Sequence, residues 1–211
     1  DLDDADNVRY DAQAKLIYVG YGDGALAVID PEKITKLADI KLDGHPESFQ
    51  LSTSGPRIFV NVPSAKEIEV VNRERRSVAA KWPVKEAGAN SPMALDEANH
   101  RLFVGCRTPA KLLVLDIDSG KLVTSVNIVG DTDDVFCDAA HKSLYVSGGE
   151  GGISIIGQTG ADTYKDVGNV KTASGARTAY FNAASGTLYV AVPHRNGQKA
   201  ELRAFRVVAG R

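Results

Sequence analysis

Leu16-Ile17-Tyr18-Val19-Gly20 decides the fold, because the same stretch returns four more times. It reappears as Arg57-Ile58-Phe59-Val60-Asn61, Arg101-Leu102-Phe103-Val104-Gly105, Ser143-Leu144-Tyr145-Val146-Ser147 and Thr187-Leu188-Tyr189-Val190-Ala191. The aromatic column Tyr18, Phe59, Phe103, Tyr145 and Tyr189 advances in steps of 41, 44, 42 and 44 residues. Before each copy a short run ends on a turn residue: Asp11, Ser52, Asp96, Asp138 or Asn182. After each copy comes an alternating run, with Leu26/Val28, Ile68/Val70, Leu112/Val114, Ile153/Ile155 and Leu202/Ala204 on one face. Alternation with period two, rich in β-branched and aromatic residues, is the signature of a half-buried strand.

A fourth strand follows in four copies, at 37–42, 78–84, 122–128 and 164–170. Four strands and their turns fill roughly 42 residues and leave no room for a helix. Tandem four-stranded units of this length are propeller blades. A sandwich of evenly spaced hairpins does not account for five equivalent aromatic columns. The sequence therefore predicts an all-β chain, a β-propeller domain over 1–211 with blades near 1–43, 44–85, 86–128, 129–171 and 172–211. The last blade lacks its outer strand, and an open strand edge is something native proteins cover. Two expectations follow: a longer, seven-bladed parent with further N-terminal blades, or a five-bladed ring closed by packing alone.

The strand cores at 18–21, 59–62, 103–106, 145–148 and 189–192 resemble those of the YVTN-repeat β-propellers. So do the turn segments Tyr10-Asp11-Ala12-Gln13-Ala14-Lys15 and Leu95-Asp96-Glu97-Ala98-Asn99-His100. The resemblance covers nearly the whole chain. It implies a bacterial, exported protein, periplasmic or secreted, of a group often seven-bladed and mostly without assigned activity. Lactonases, lyases and quinoprotein dehydrogenase subunits share this architecture, so the fold alone selects no chemistry. The dehydrogenase blades carry repeated tryptophans at docking motifs, whereas Trp82 stands alone here, which argues against a quinone cofactor.

Composition narrows the field. Twenty-five basic against 27 acidic residues give a net charge of −2, so no basic field exists to hold nucleic acid. No apolar run approaches the ~20 residues of a membrane span. The chain begins at Asp1 without a signal peptide, which says nothing about its compartment. Cys106 and Cys137 are too few for a disulfide framework or a zinc site and fall in strand columns, as buried free thiols.

In a propeller the connectors between blades share one rim with the loops joining second and third strands. Aligning the copies puts Asp6-Asn7, Glu47-Ser48, Ser91-Pro92, Asp133-Asp134 and Arg177-Thr178 at that rim, with Asn90, His45 and Asp131 beside them. The loops add Tyr21, Asp23, Lys66, Arg107, Lys111, Glu150, His194 and Arg195. This rim varies most in charge between copies. Converging carboxylates repel unless a cation, a basic ligand or a shared proton offsets them. The predicted ligand-binding set is therefore Asp6, Asn7, His45, Glu47, Asn90, Asp133, Asp134, Arg177, His194 and Arg195. Glu47, Asn90 and Asp133 form a candidate set for calcium or magnesium. The competing reading is that these groups cap strand ends and line a water-filled channel.

His100, His141 and the turn residues Asp11, Asp96, Asp138 and Asn182 read as local turn chemistry. The glycine-rich 147–152 run has no following helix and reads as a hairpin. No nucleophile elbow, zinc-protease motif or phosphate loop appears. The two functional expectations are a binding or interaction propeller for a small molecule, glycan or protein, and a metal-dependent hydrolase or lyase resembling the propeller lactonases. In the second, His45 or His194 would move a proton.

Overall fold

In the computed structural model, residues 1–195 and 197–208 are described. Among them, strands form five antiparallel sheets in chain order, four of four strands and one of three. Among the described residues, no helix is long and apolar enough to cross a membrane. The chain resolves into two compact units, Asp1–Ser91 and Pro92–Arg211.

In the first unit, β1 (Val8–Asp11), β2 (Leu16–Tyr21), β3 (Ala25–Asp30) and β4 (Thr35–Lys41) make one sheet. The next comprises β5 (Phe49–Leu51), β6 (Arg57–Val62), β7 (Glu67–Asn72) and β8 (Ser77–Pro83). β1 runs beside β5 and β4 beside β8, so the two sheets pack face to face. Between them lie Tyr18, Leu26, Val28, Ile40, Phe49, Ile58 and Val71. Burying each such side chain contributes about 1.5–3 kcal/mol. Phe59 is fully buried, with Trp82 at 5.6 Å between ring centroids and the Arg57 guanidinium 5.2 Å from its ring.

β9 (Gly88–Asp96) carries the chain from the first unit into the second. It ends a sheet with β10 (Arg101–Thr108), β11 (Ala110–Asp116) and β12 (Leu122–Asn127). The fourth sheet holds β13 (Thr132–Asp138), β14 (Ser143–Gly148), β15 (Gly152–Gly160) and β16 (Thr163–Lys171). The fifth has β17 (Ala179–Asn182), β18 (Thr187–Val192) and β19 (Glu201–Arg206). Phe103, Leu112, Leu144, Ile156 and Tyr164 fill the third-to-fourth interface; Tyr145, Ile153, Leu188 and Val190 fill the fourth-to-fifth.

One irregularity recurs in every four-stranded sheet. The register between third and fourth strands slips at Val28/Ile29, Val70/Val71, Val114/Leu115 and Ile155/Ile156. A bulge at the same place each time increases local twist. The turn side chains cap as expected: Asp11 accepts from the Gln13 and Ala14 amides, Asp96 from Asn99, Asp138 from His141 and Asn182 from Ser185. Both cysteines are free, Cys106 buried and Cys137 half-buried, and burial pushes each thiol up to about 12.

Candidate functional site

Within each unit, backbone hydrogen bonds tie connectors to the ends of second strands. In the first unit, the Asp6 amide donates to Gly20 O at 3.0 Å and the Glu47 amide to Asn61 O at 3.0 Å. In the second, the Ala191 amide donates to Thr178 O at 2.9 Å. Connectors and second-to-third-strand loops thus share one end of the sheets within each unit, where polar side chains range from exposed Asp6 to buried Asn90, Ser91 and Thr132.

The first unit groups Asp6, His45 and Glu47, each offering one ligating atom within 4.8 Å of the others. His45 Nδ1 lies 2.7 Å from Gly22 O and 3.6 Å from an Asp4 carboxylate oxygen. Nδ1 is therefore the donating nitrogen, and Nε2 carries the lone pair if the ring is neutral. Ser91 Oγ donates to Glu47 Oε2 at 3.3 Å. Asn90 is fully buried and donates to Asn61 Oδ1 at 3.0 Å and Glu67 O at 3.3 Å. Its amide is committed to the interior of the unit. Asn7 accepts weakly from Arg9 at 3.5 Å.

The second unit holds a closed square of alternating charge. Arg107 donates to Asp133 at 2.6 Å and passes 3.8 Å from Asp131. Arg177 donates to both Asp131 oxygens, at 3.0 and 3.1 Å, and lies 3.6 Å from Asp133. Arg107 Nε also donates to Thr132 O at 2.8 Å. The four side chains are between 30% and 42% exposed, so they are preorganised yet reachable. Asp131 and Asp133 raise the Arg177 pKa further above its ordinary value. Arg107 and Asp131 stood on the predicted rim without a role; they complete this square. Nothing in the sequence pairs them, because the partners are dozens of residues apart.

Asp134 does different work. Its Oδ2 accepts the Ala179 amide at 2.7 Å, fastening β17 to β13. His194 and Arg195 are exposed in the β18–β19 loop. The Arg195 guanidinium lies so close to Gly175 (φ +78°) that a Cβ there would sit 2.7 Å from Cζ. The positive φ favours glycine there, while the exposed Arg195 side chain could move aside for a Cβ.

No family model matches the sequence, and no curated protein does. A structure of Kuenenia stuttgartiensis hydrazine synthase matches with a TM-score of 0.81 over 99% of this chain, at 13% identity. The β-propeller domain of Myceliophteria thermophila Cps50 (Swd1) matches with a TM-score of 0.74 over 98% of it, at 16% identity. The fold is a β-propeller. This propeller chain spans 64% and 66% of those two chains, and at such identities the likeness speaks for architecture alone.

Proposed function

We propose that this propeller is a recognition module whose connector rim binds a charged polar ligand, a small molecule or glycan bearing a carboxylate, or a protein surface presenting one. The observation that carries this reading is the Arg107–Asp133–Arg177–Asp131 square. Its guanidiniums are held in place by aspartates, carry N–H donors beyond those contacts, and stand partly in solvent. Arginine forks match carboxylates in two-point geometry. Loops on a rigid sheet scaffold are where binding residues concentrate. The likeness of the strand cores to YVTN repeats supports a bacterial protein that works in the periplasm or outside the cell.

The test is a thermal-shift panel of N-acetylneuraminate, galacturonate, amino acids and neutral sugars. It is run on the wild type and on the Arg107→Ala/Arg177→Ala variant. The reading expects acidic members to stabilise the wild type and not the variant. A panel that shifts neither protein, or both alike, overturns it.

A second reading, hydrolase or lyase chemistry at a divalent cation, is favoured by the Asp6, His45 and Glu47 group. Two carboxylates and an imidazole fit a cation, and His45 donating Nδ1–H to Gly22 O is how a ligating histidine is oriented. A bound ion there would supply Lewis acidity and a more acidic water. Lactone hydrolysis that needs manganese or zinc and is lost in His45→Ala is the expected result. No metal-dependent turnover refutes it.

A further inference from the structure

The connector after β4 is fastened to the second sheet by a buried carboxylate. Asp43 N–H donates to Glu69 Oε1 at 2.8 Å. The second unit makes the same fastening with less: Val129 N–H donates to Ser154 Oγ at 2.9 Å. Glu69 and Ser154 hold equivalent places on third strands, and their cross-strand neighbours are Lys81 and Asn169. One neutral oxygen is thus sufficient for the clip. Glu69 brings a second oxygen and a charge that the clip does not use.

That surplus is costly where it lies. Glu69 is fully buried, and among the described residues its Oε2 has no hydrogen-bond partner. Glu67 Oε1 is also buried without a hydrogen-bond partner. One carboxylate oxygen from each of Asp43, Glu67 and Glu69 lies within 4.8 Å of the others. Lys81 Nζ contacts Asp43 and stands 3.9 Å from Glu67 Oε1. One ammonium against three carboxylates leaves negative charge in excess, and the buried Oε2 of Glu69 still lacks a hydrogen bond. Isolated buried charge costs several kcal/mol unless compensated.

We propose that Asp43, Glu67 and Glu69 form a binding site for a hard divalent cation, calcium foremost, which locks the connector onto the second sheet. The donor set is all oxygen, with no nitrogen or sulfur to favour softer ions. Calcium accepts carboxylate oxygens in a flexible arrangement, whereas magnesium demands near-ideal octahedral geometry and gives up its waters reluctantly. Lys81 is 42% exposed and can swing into solvent when the ion enters. The site is independent of the rim reading, since neither the arginine square nor His45 belongs to it.

The full chain, stripped with EDTA, is melted with calcium, magnesium, manganese or zinc. Wild type is compared with Glu69→Gln, Glu69→Ser and, as a rim control, Glu47→Gln. Calcium should raise the wild-type and Glu47→Gln melting temperatures by roughly 5 °C or more at about 100-fold its Kd. Both Glu69 variants should lose at least tenfold in calcium affinity. No shift in the wild type, equal shifts in the Glu69 variants, or preference for zinc would overturn the site. Should the Glu69 variants fail to fold, Lys81→Met keeps every carboxylate and removes the competing ammonium. Calcium affinity must then rise; unchanged or weaker binding refutes the proposal.

Discussion

Arg73 offers the sharpest energetic test of the first unit. Its Nη1 donates to Asp11 Oδ2 at 2.7 Å, and Nη2 donates to Ser52 O at 2.7 Å and to Gly55 O. The two charged side chains are only 11% and 7% exposed, so the pair is shielded and connects the turn of the first sheet to that of the second. Replacing Arg73 by alanine strands a buried carboxylate and two carbonyls. Breaking a buried pair on one side costs about 3–5 kcal/mol. Two features reduce this: Asp11 keeps its Gln13 and Ala14 amides, and an adjoining cleft of about 510 Å³ admits water. The expected loss is therefore about 3 kcal/mol. Lysine at 73 keeps the charge but cannot reach three acceptors, so about half that loss should remain. In the Arg73→Ala background, Asp11→Asn should restore at least about 1 kcal/mol, because it removes the uncompensated charge. Urea titration followed by the fluorescence of Trp82, the single tryptophan, reads all three in the right unit. A loss under about 1 kcal/mol for Arg73→Ala, or no rescue by Asp11→Asn, refutes the reasoning.

Other perturbations follow from the same geometry. Ile34 sits at φ +51° and is 87% exposed, a left-handed conformation that β-branched residues resist. Ile34→Asn should therefore stabilise by about 1 kcal/mol in urea titration, and destabilisation contradicts it. Burial raises the Glu69 pKa above its ordinary 4.5, with Asp43 and Glu67 adding to the rise and the Asp43 amide and Lys81 opposing it. An acid that holds its proton more tightly when folded weakens the fold as pH rises from about 4.5 through the raised value. Metal-free wild type should therefore lose stability across that window, and Glu69→Gln should flatten the slope. Equal slopes argue against it. Cys106 and Cys137, with thiols pushed up to about 12, should resist Ellman's reagent at pH 8 until denaturant is added. Rapid native labelling refutes that.

The sheets were legible because burial acts on each repeat alike. Tyr18, Phe59 and their counterparts had to share a column, and the predicted fourth strands agree with β4, β8, β12 and β16 to within two residues. The turn roles of Asp11, Asp96, Asp138 and Asn182 were readable because they are local. The recurring bulge was not, since an extra residue in a strand leaves the alternating pattern nearly intact. Arg73 opens the run Arg73-Glu74-Arg75-Arg76, which reads as a solvated charged turn until the Asp11 contact appears. Aligning the copies brings the polar connector and loop residues to notice but does not show which of them pair. Arg107 finds Asp133, Arg177 finds Asp131, and Asp134 turns away to hold Ala179. Glu69 did leave a trace: its column otherwise reads Ala27, Leu113, Ser154 and Arg203. It is the one acid in that column.

Side-chain NMR of the arginine Nε–H groups reaches the account's core most directly. With N-acetylneuraminate or galacturonate added stepwise, the Arg107 and Arg177 signals should move and saturate while that of Arg73 stays put. Signals that never move, or that all drift together without saturation, would mean the rim square is not a carboxylate receptor.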